Sequence, residues 1–461
     1  MLSSLLELRR HELERRVSSL PGEVEAWIHS TQTEIEKNAY FSQLRAIELL
    51  IAEYTLRQGA LLKQLDTASD PAAFQLVSYQ LIESLTKSQQ TWAFFREKLN
   101  LRHSPKHRVE LLVADTIAWD CYRPVLDRAV QFGILHSSEL REPPLVYCSA
   151  DYSPATWVRR SRPYDGRNYQ LGEALLPIPV IEIPWDTLGS SWEFLALHHE
   201  VGHDLEADLS LRPALLSSLI AELKKNDVPH TRIKIWSQWI GEVVADLCAL
   251  QLAGPAFTDV LMHVLLLPEH VVKSFDPEDP HPTPFLRILL NSAYIRTLGI
   301  SPALEQHAAA IEARWKETYG KDSGDAELDC FAGDFAHVFA ALMDSPLPAL
   351  REHTLRELIP FADSDDAVIR SAVKFFRTGA NRPSWLPLRH TVSAARLALG
   401  EEADTGNLTT GICVDIHGRV LEYVKENTPK GLRGGGPDAH DKYIAGFADK
   451  IFPPWTHTYL S

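Results

Sequence analysis

The residues of this chain best equipped for chemistry are His199, Glu200 and His203, which form the pattern H-E-x-x-H. Side chains four apart lie one above the other on an α-helix, so both imidazoles can reach a single metal ion. Glu200, turned about a third of a turn from His199, is then placed to touch water at the metal and not the metal itself. The spacing predicts the active site of a zinc hydrolase, with His199 and His203 as ligands of Zn2+ and Glu200 as general base. Such a site needs a third protein ligand.

Sites of this kind differ in where that ligand comes from. In the extended pattern H-E-x-x-H-x-x-G-x-x-H, the glycine and final histidine would fall at 206 and 209, where this chain has Glu206 and Leu209. A cysteine ligand from an E-G-C element is disfavoured because Cys148 sits in Val146-Tyr147-Cys148-Ser149. A glutamate from a downstream helix fits. Glu242 and Asp246 are four apart and share a face, which Ala245, Ala249 and Ala253 keep small enough for close approach to the first helix. Two carboxylates on one close-packed face call for a cation. Glu242 is the expected metal ligand, and Asp246 the acceptor that fixes the tautomer of a ligand histidine.

These residues need helices to hold them. Ser190 and Glu193 read as a capping box opening the metal helix, and Phe194, Leu197, Val201 and Leu205 recur at helical spacing to give it a buried face. Residues 236–253 read as the second helix, stopped by Gly254-Pro255. Thr283, Pro284 and Gly299 mark the cap, first position and end of a third. Upstream, residues 1–139 form an N-terminal helical region, in which Pro21-Gly22 is expected to end the first helix and a long second helix to run from Glu23 to about Leu65. Two strands are expected in the core region 140–300. One lies over Pro143–Cys148, and the other spans Leu176–Pro184, where three prolines confine it to a sheet edge. An edge strand beside the metal helix offers free backbone groups to an extended peptide, although the protein's own loops could equally cover it. Residues 301–461 read as a C-terminal helical region, with a β-hairpin near 411–424 around His417-Gly418. The fold class is therefore mainly α (α+β), a core with a small edge sheet between two helical flanks.

Composition narrows the function classes. Of 461 residues, 45% are hydrophobic, enough for a sizeable core, and the net charge is −15. An acidic chain attracts neither nucleic acid nor an anionic membrane surface, so neither is an expected partner. The run Arg159-Arg160-Ser161-Arg162 reads as solvated loop, and Gly434-Gly435-Gly436-Pro437 as a flexible connection. No stretch approaches the roughly 18 apolar residues of a membrane span, and charges interrupt the N-terminus where a signal peptide would be apolar. Five scattered cysteines without C-x-x-C spacing fit reduced thiols, so a cytoplasmic location is expected.

Three motifs occur in order: His199-Glu200-Val201-Gly202-His203, then Glu242-Val243-Val244-Ala245-Asp246, then His281-Pro282-Thr283-Pro284-Phe285-Leu286-Arg287. Over residues 140–300 the chain thus resembles the HtpX and CAAX-prenyl-protease metallopeptidases, which carry H-E-x-x-H, E-x-x-A-D and H-P-x-x-x-x-R. The resemblance implies a zincin-like catalytic core of the glutamate-ligand kind that hydrolyses a protein or peptide substrate. It also implies that His281 donates to the oxyanion and that Arg287 holds that loop or contacts substrate. Members of that family are commonly embedded in membranes, whereas this chain has no span. His390, next to Arg389 at the start of an expected helix, Leu388 to Leu399, is a rival for the donor role. Two other readings remain: a metal hydrolase or aminopeptidase acting on small amides, which the lack of a G-x-M-E-N element disfavours, and a helical scaffold with a structural zinc.

Overall fold

A computed structural model describes residues 4–30, 34–68, 70–159, 161, 176–299 and 301–429. It is mainly helical with one small sheet. Of the basic run expected to be solvated, Arg159 is instead buried and paired with Glu142 and Asp208, whereas Arg160 and Arg162, and the glycine-rich stretch at 434–437, lie outside the described residues.

The chain opens with three long helices, α1 (Ser4–Ser30), α2 (Glu34–Thr67) and α3 (Pro71–Asn100). Contrary to expectation, α1 runs through Pro21, and residues 23–30 belong to it and not to the second helix. A proline inside a helix costs about 3 kcal/mol. Here Leu13, Val17, Leu20 and Val24 are all buried on one side of α1, which offsets that cost. The Asp70-Pro71 start of α3 is as expected, with Asp70 accepting from the amides of Ala72 and Ala73. The next helix, α4 (Arg108–Gln131), carries Asp115, which pairs with buried Arg102 and accepts from the Val146 amide at 2.9 Å.

That amide belongs to β1 (Leu145–Ser149), which with β2 (Ala155–Trp157) and β3 (Val180–Pro184) makes a sheet ordered β1-β3-β2. The proline-rich strand β3 is thus the central strand and not an edge, parallel to β1 and antiparallel to β2. Its prolines do not interrupt the ladder: Pro177 and Pro179 precede the strand, Pro184 ends it, and Pro179 accepts from Leu145 through its carbonyl. The edge beside the metal helix is β2, whose Thr156 hydroxyl reaches Asp204 at 3.5 Å.

The helix carrying the histidines, α5 (Ala196–Asp208), does not begin with the expected capping box. Ser190 makes no side-chain cap bond, and a 3-10 turn over Ser191–Leu195 leads into the helix. The remaining helices are α6 (Arg212–Lys225), α7 (His230–Ala253), α8 (Ala256–Val264), the short α9 (Glu269–Val272), α10 (Pro284–Leu298) and α11 (Pro302–Tyr319). Single-turn pieces α12 (Ala326–Asp329), α13 (Phe335–Phe339) and α14 (Leu355–Leu358) precede α15 (Asp363–Thr378), α16 (Leu388–Asp404) and α17 (Thr410–Asn427). The expected β-hairpin at 411–424 is therefore helix. Ile416, Val420, Tyr423 and Val424 are buried at helical spacing, and Thr409 caps the Ile412 amide. One apolar cluster joins α4, the sheet and the helices from α5 to α17. Among the described residues no helix is long and apolar enough to cross a membrane.

Candidate metal centre

Two helices bring the cluster together. At the crossing of α5 and α7, a Cβ added to Gly202 would lie 2.9 Å from the Ala245 Cα and 3.2 Å from the Cys248 Cβ. The helices touch there almost backbone to backbone. His203 follows that crossing point on α5 and Glu242 lies one turn before it on α7, so the glycine sets how near they come. Phe194, Leu197 and Val201 are fully buried as the helical spacing predicts, which anchors α5 from the other side.

His199 Nε2 lies 3.2 Å from His203 Nε2 and 3.3 Å from a Glu242 oxygen, and His203 Nε2 is 3.4 Å from the other. A tetrahedral zinc with bonds of about 2.0–2.1 Å sets its ligand atoms roughly 3.3–3.4 Å apart, so the triangle fits. His199, His203 and Glu242 form a cluster that could hold a metal ion. Asp246 lies behind it, fully buried, with Oδ1 2.8 Å from His199 Nδ1, although this contact falls outside good hydrogen-bond alignment. The contact still leaves Nε2 as the nitrogen turned toward the other two donors.

Arg287 sits on the first turn of α10, but it does not serve the His281 loop. It grips Asp246 with two bonds of 2.7 Å and reaches Glu242 at 3.2 Å, buried between them. Asn291, one turn further along α10, completes the shell around Asp246 at 3.1 Å. No motif marks Asn291 in the sequence, although its four-residue spacing from Arg287 puts both on one face. Asp246 is therefore the counter-ion of a buried arginine as well as the neighbour of His199.

The charges are strongly coupled. Burial opposes ionisation of Asp246, but Arg287 and His199 hold it at about 2. Glu242 is carried far below the ordinary carboxylate range, since bonds from His199 and His203 outweigh its burial. Burial likewise opposes a charge on His199, yet Asp246 and Glu242 raise it to about 10. This electrostatic demand for positive charge beside two carboxylates is one that a dication meets. Glu200 is buried and its carboxyl is pushed up, mainly by burial.

His281 stands at the rim, half exposed, with Nε2 3.7 Å from Glu242. Thr283 occupies the cap position of α10 without a side-chain bond. What holds His281 is Asp279, which accepts from its amide at 2.8 Å and lies 3.0 Å from Nδ1. The acidic loop is itself tied to α7, through Trp239 to the Asp279 carbonyl and Lys234 to Glu278. Asp279 was readable in the sequence as an aspartate turn two residues before the histidine. His390, by contrast, is buried with its ring on the Leu252 carbonyl, away from the cluster.

His199, Glu200, His203, Glu242, His281 and Arg287 all face one cavity of about 610 Å³. No family model, no curated protein and no solved structure matches this chain.

Proposed function

We propose that the protein is a zinc-dependent peptidase, an endopeptidase with a zincin-like core. The observation that carries this reading is the triangle of donors at 3.2–3.4 Å, with a buried glutamate next to one of them, opening into a cavity beside a sheet edge. The ordered motifs shared with the HtpX and CAAX-prenyl-protease metallopeptidases support it. When bound, zinc supplies Lewis acidity toward a water and a substrate carbonyl.

The chain's own residues do the rest. Among the described residues β2 pairs only with β3, and an extended peptide backbone adds along its other edge. Glu200, with its raised pKa, takes a proton from the attacking water and gives it to the leaving amine. His281, held by Asp279, is the donor to the developing oxyanion. Arg287 keeps Asp246 and Glu242 ionised and in place.

The test compares wild type, Glu200→Gln and Glu242→Ala in one preparation, for zinc by mass spectrometry and for cleavage of unfolded protein. Glu200→Gln is expected to keep about one zinc and lose turnover, and Glu242→Ala to lose the zinc. Wild-type cleavage by Glu200→Gln would refute the mechanism. Zinc retention in Glu242→Ala would remove the glutamate ligand, and zinc binding without any turnover would leave a structural site.

A further inference from the structure

The cavity has one wall that the metal chemistry does not use. Phe257, Val260, Leu261 and Val264 of α8 line it, followed by Leu265. The four helical positions fall at i, i+3, i+4 and i+7, one continuous stripe. Two of its polar residues turn into the protein, while His263 stays exposed: Thr258 is fully buried, and Asp259 pairs with His307 at 2.8 Å and accepts from Arg396 through its carbonyl. What α8 offers to the cavity is thus its apolar face. The stripe begins at the metal cluster, where the Phe257 ring lies parallel to His199 at 6.1 Å between centroids. It continues outward past half-buried Val264 and Leu265 to Leu266, which is 56% exposed. On the β2 side, Ser153 and Pro154 line the cavity, and the residue before them, Tyr152, is 77% exposed.

We propose that α8 is a specificity wall that seats one bulky aliphatic or aromatic side chain of the substrate next to the scissile bond, an inference that rests on the peptidase reading. An extended peptide lying along β2 sends alternate side chains to opposite faces. Of the two residues flanking the scissile bond, one therefore points into the cavity. The α8 wall itself carries no charge, and the cavity's charged residues away from the metal cluster, Arg212 and Glu206, are paired with each other; a charged side chain against α8 would lose its hydration, whereas a leucine or phenylalanine gains the burial. A cavity of 610 Å³ has room for such a side chain beside the metal cluster.

The probes are N-acetyl-leucine hydroxamate and N-acetyl-glycine hydroxamate, which share a metal-binding group and differ in one side chain. Calorimetry on zinc-loaded full-length protein is expected to give about 10- to 100-fold tighter binding for the leucine compound. In Val264→Asp, and less severely in Val264→Ser should the first fold poorly, that ratio is expected to collapse toward one. Equal affinity for the two probes, no binding by either, or a ratio unchanged in both variants overturns the proposal. A leucine preference that depends on Val264, in a protein that cleaves no peptide, leaves the wall standing and removes the peptidase reading. In a cleaved peptide library the same wall predicts enrichment of leucine, isoleucine, methionine or phenylalanine at one of the two positions flanking the cut.

Discussion

The two sides of α5 both carry histidines, and they use them in opposite ways. Toward α7 and α10, His199 and His203 meet carboxylates, and His199 is raised to about 10. Toward the C-terminal helices, His198 gives its Nε2 to the Arg389 carbonyl, and burial lowers it to about 4. His390 likewise meets only a backbone carbonyl and is pushed well down by burial. His417 of α17 accepts from the Ser191 amide at the entry to α5 and is also lowered. A neutral histidine bonded to a backbone group is a brace, and a histidine between acids could hold a cation. Adjacent residues of one helix are assigned to these roles by their acceptors.

The largest break in this contrast is Asp246→Asn. If it only oriented His199, Asp246 would be a mild site, costing about 10- to 100-fold in metal affinity. Its two bonds to buried Arg287 change that expectation. The variant takes the closer of two carboxylates from a buried arginine and leaves it only Glu242 at 3.2 Å, a loss on the order of 3–5 kcal/mol. Chemical denaturation of the metal-free variant measures this apart from any metal effect. A loss under about 1 kcal/mol would show that Glu242, already paired with Arg287, suffices as its counter-ion.

The brace side gives a pH signature of its own. His198 is neutral in the folded protein down to about 4, whereas in the unfolded chain it takes a proton below about 6.5. Between those values the unfolded state binds more protons, so stability falls as pH drops from about 6.5 to 4 and no longer changes through this residue below that. The window is worth about 3 kcal/mol for this residue. In metal-free protein His199 has the opposite sign, with a contribution present below about 6.5 and lost as pH rises toward 10. Denaturation of metal-free wild type and His198→Gln from pH 4 to 7 should differ in slope by about one proton. Parallel slopes would mean that His198 protonates in the folded state.

What could be read from the sequence followed from spacing within single helices. His199, His203, Glu242 and Asp246 are pairs four apart, and the structure puts each pair on one face of its helix, facing the other pair. The reading failed where one element's partner decides the outcome. The prolines of β3 suggest an edge until the pairing shows that none of them must donate inside the ladder. His417-Gly418 resembles a turn between two apolar runs, but the buried positions of α17 recur at helical spacing once α15 and α16 lie against it. Arg287 is marked by its motif, but its bonds to Asp246 and Glu242 are not, because an arginine's reach over α7 is not written in α10. The histidines of the brace side carry no motif at all. Their carbonyl partners, Arg389 and Leu252, are remote in sequence and leave no side-chain signal.

The smallest predicted effect tests what keeps the ligand side close. Gly202 and Gly400 are both helical glycines, the first at the α5–α7 crossing and the second in α16 on the brace side. Alanine in a helix interior is favoured over glycine by about 0.5–1 kcal/mol, so both substitutions start with the same gain. At Gly400 nothing lies within 4 Å of the new methyl, and Gly400→Ala should keep that gain. At Gly202 the methyl would meet the Ala245 Cα at 2.9 Å and its carbonyl oxygen at 3.1 Å, backbone atoms that cannot swing aside. The helices must part, and overpacking of this kind costs about 1–3 kcal/mol. Net destabilisation of about 1 kcal/mol is expected for Gly202→Ala, together with weaker metal binding as Glu242 moves away from the histidines. Thermal unfolding of the two variants, with and without added zinc, reads both effects. If Gly202→Ala is stabilised as much as Gly400→Ala and binds zinc as wild type does, close approach at residue 202 is not what sets the ligand triangle.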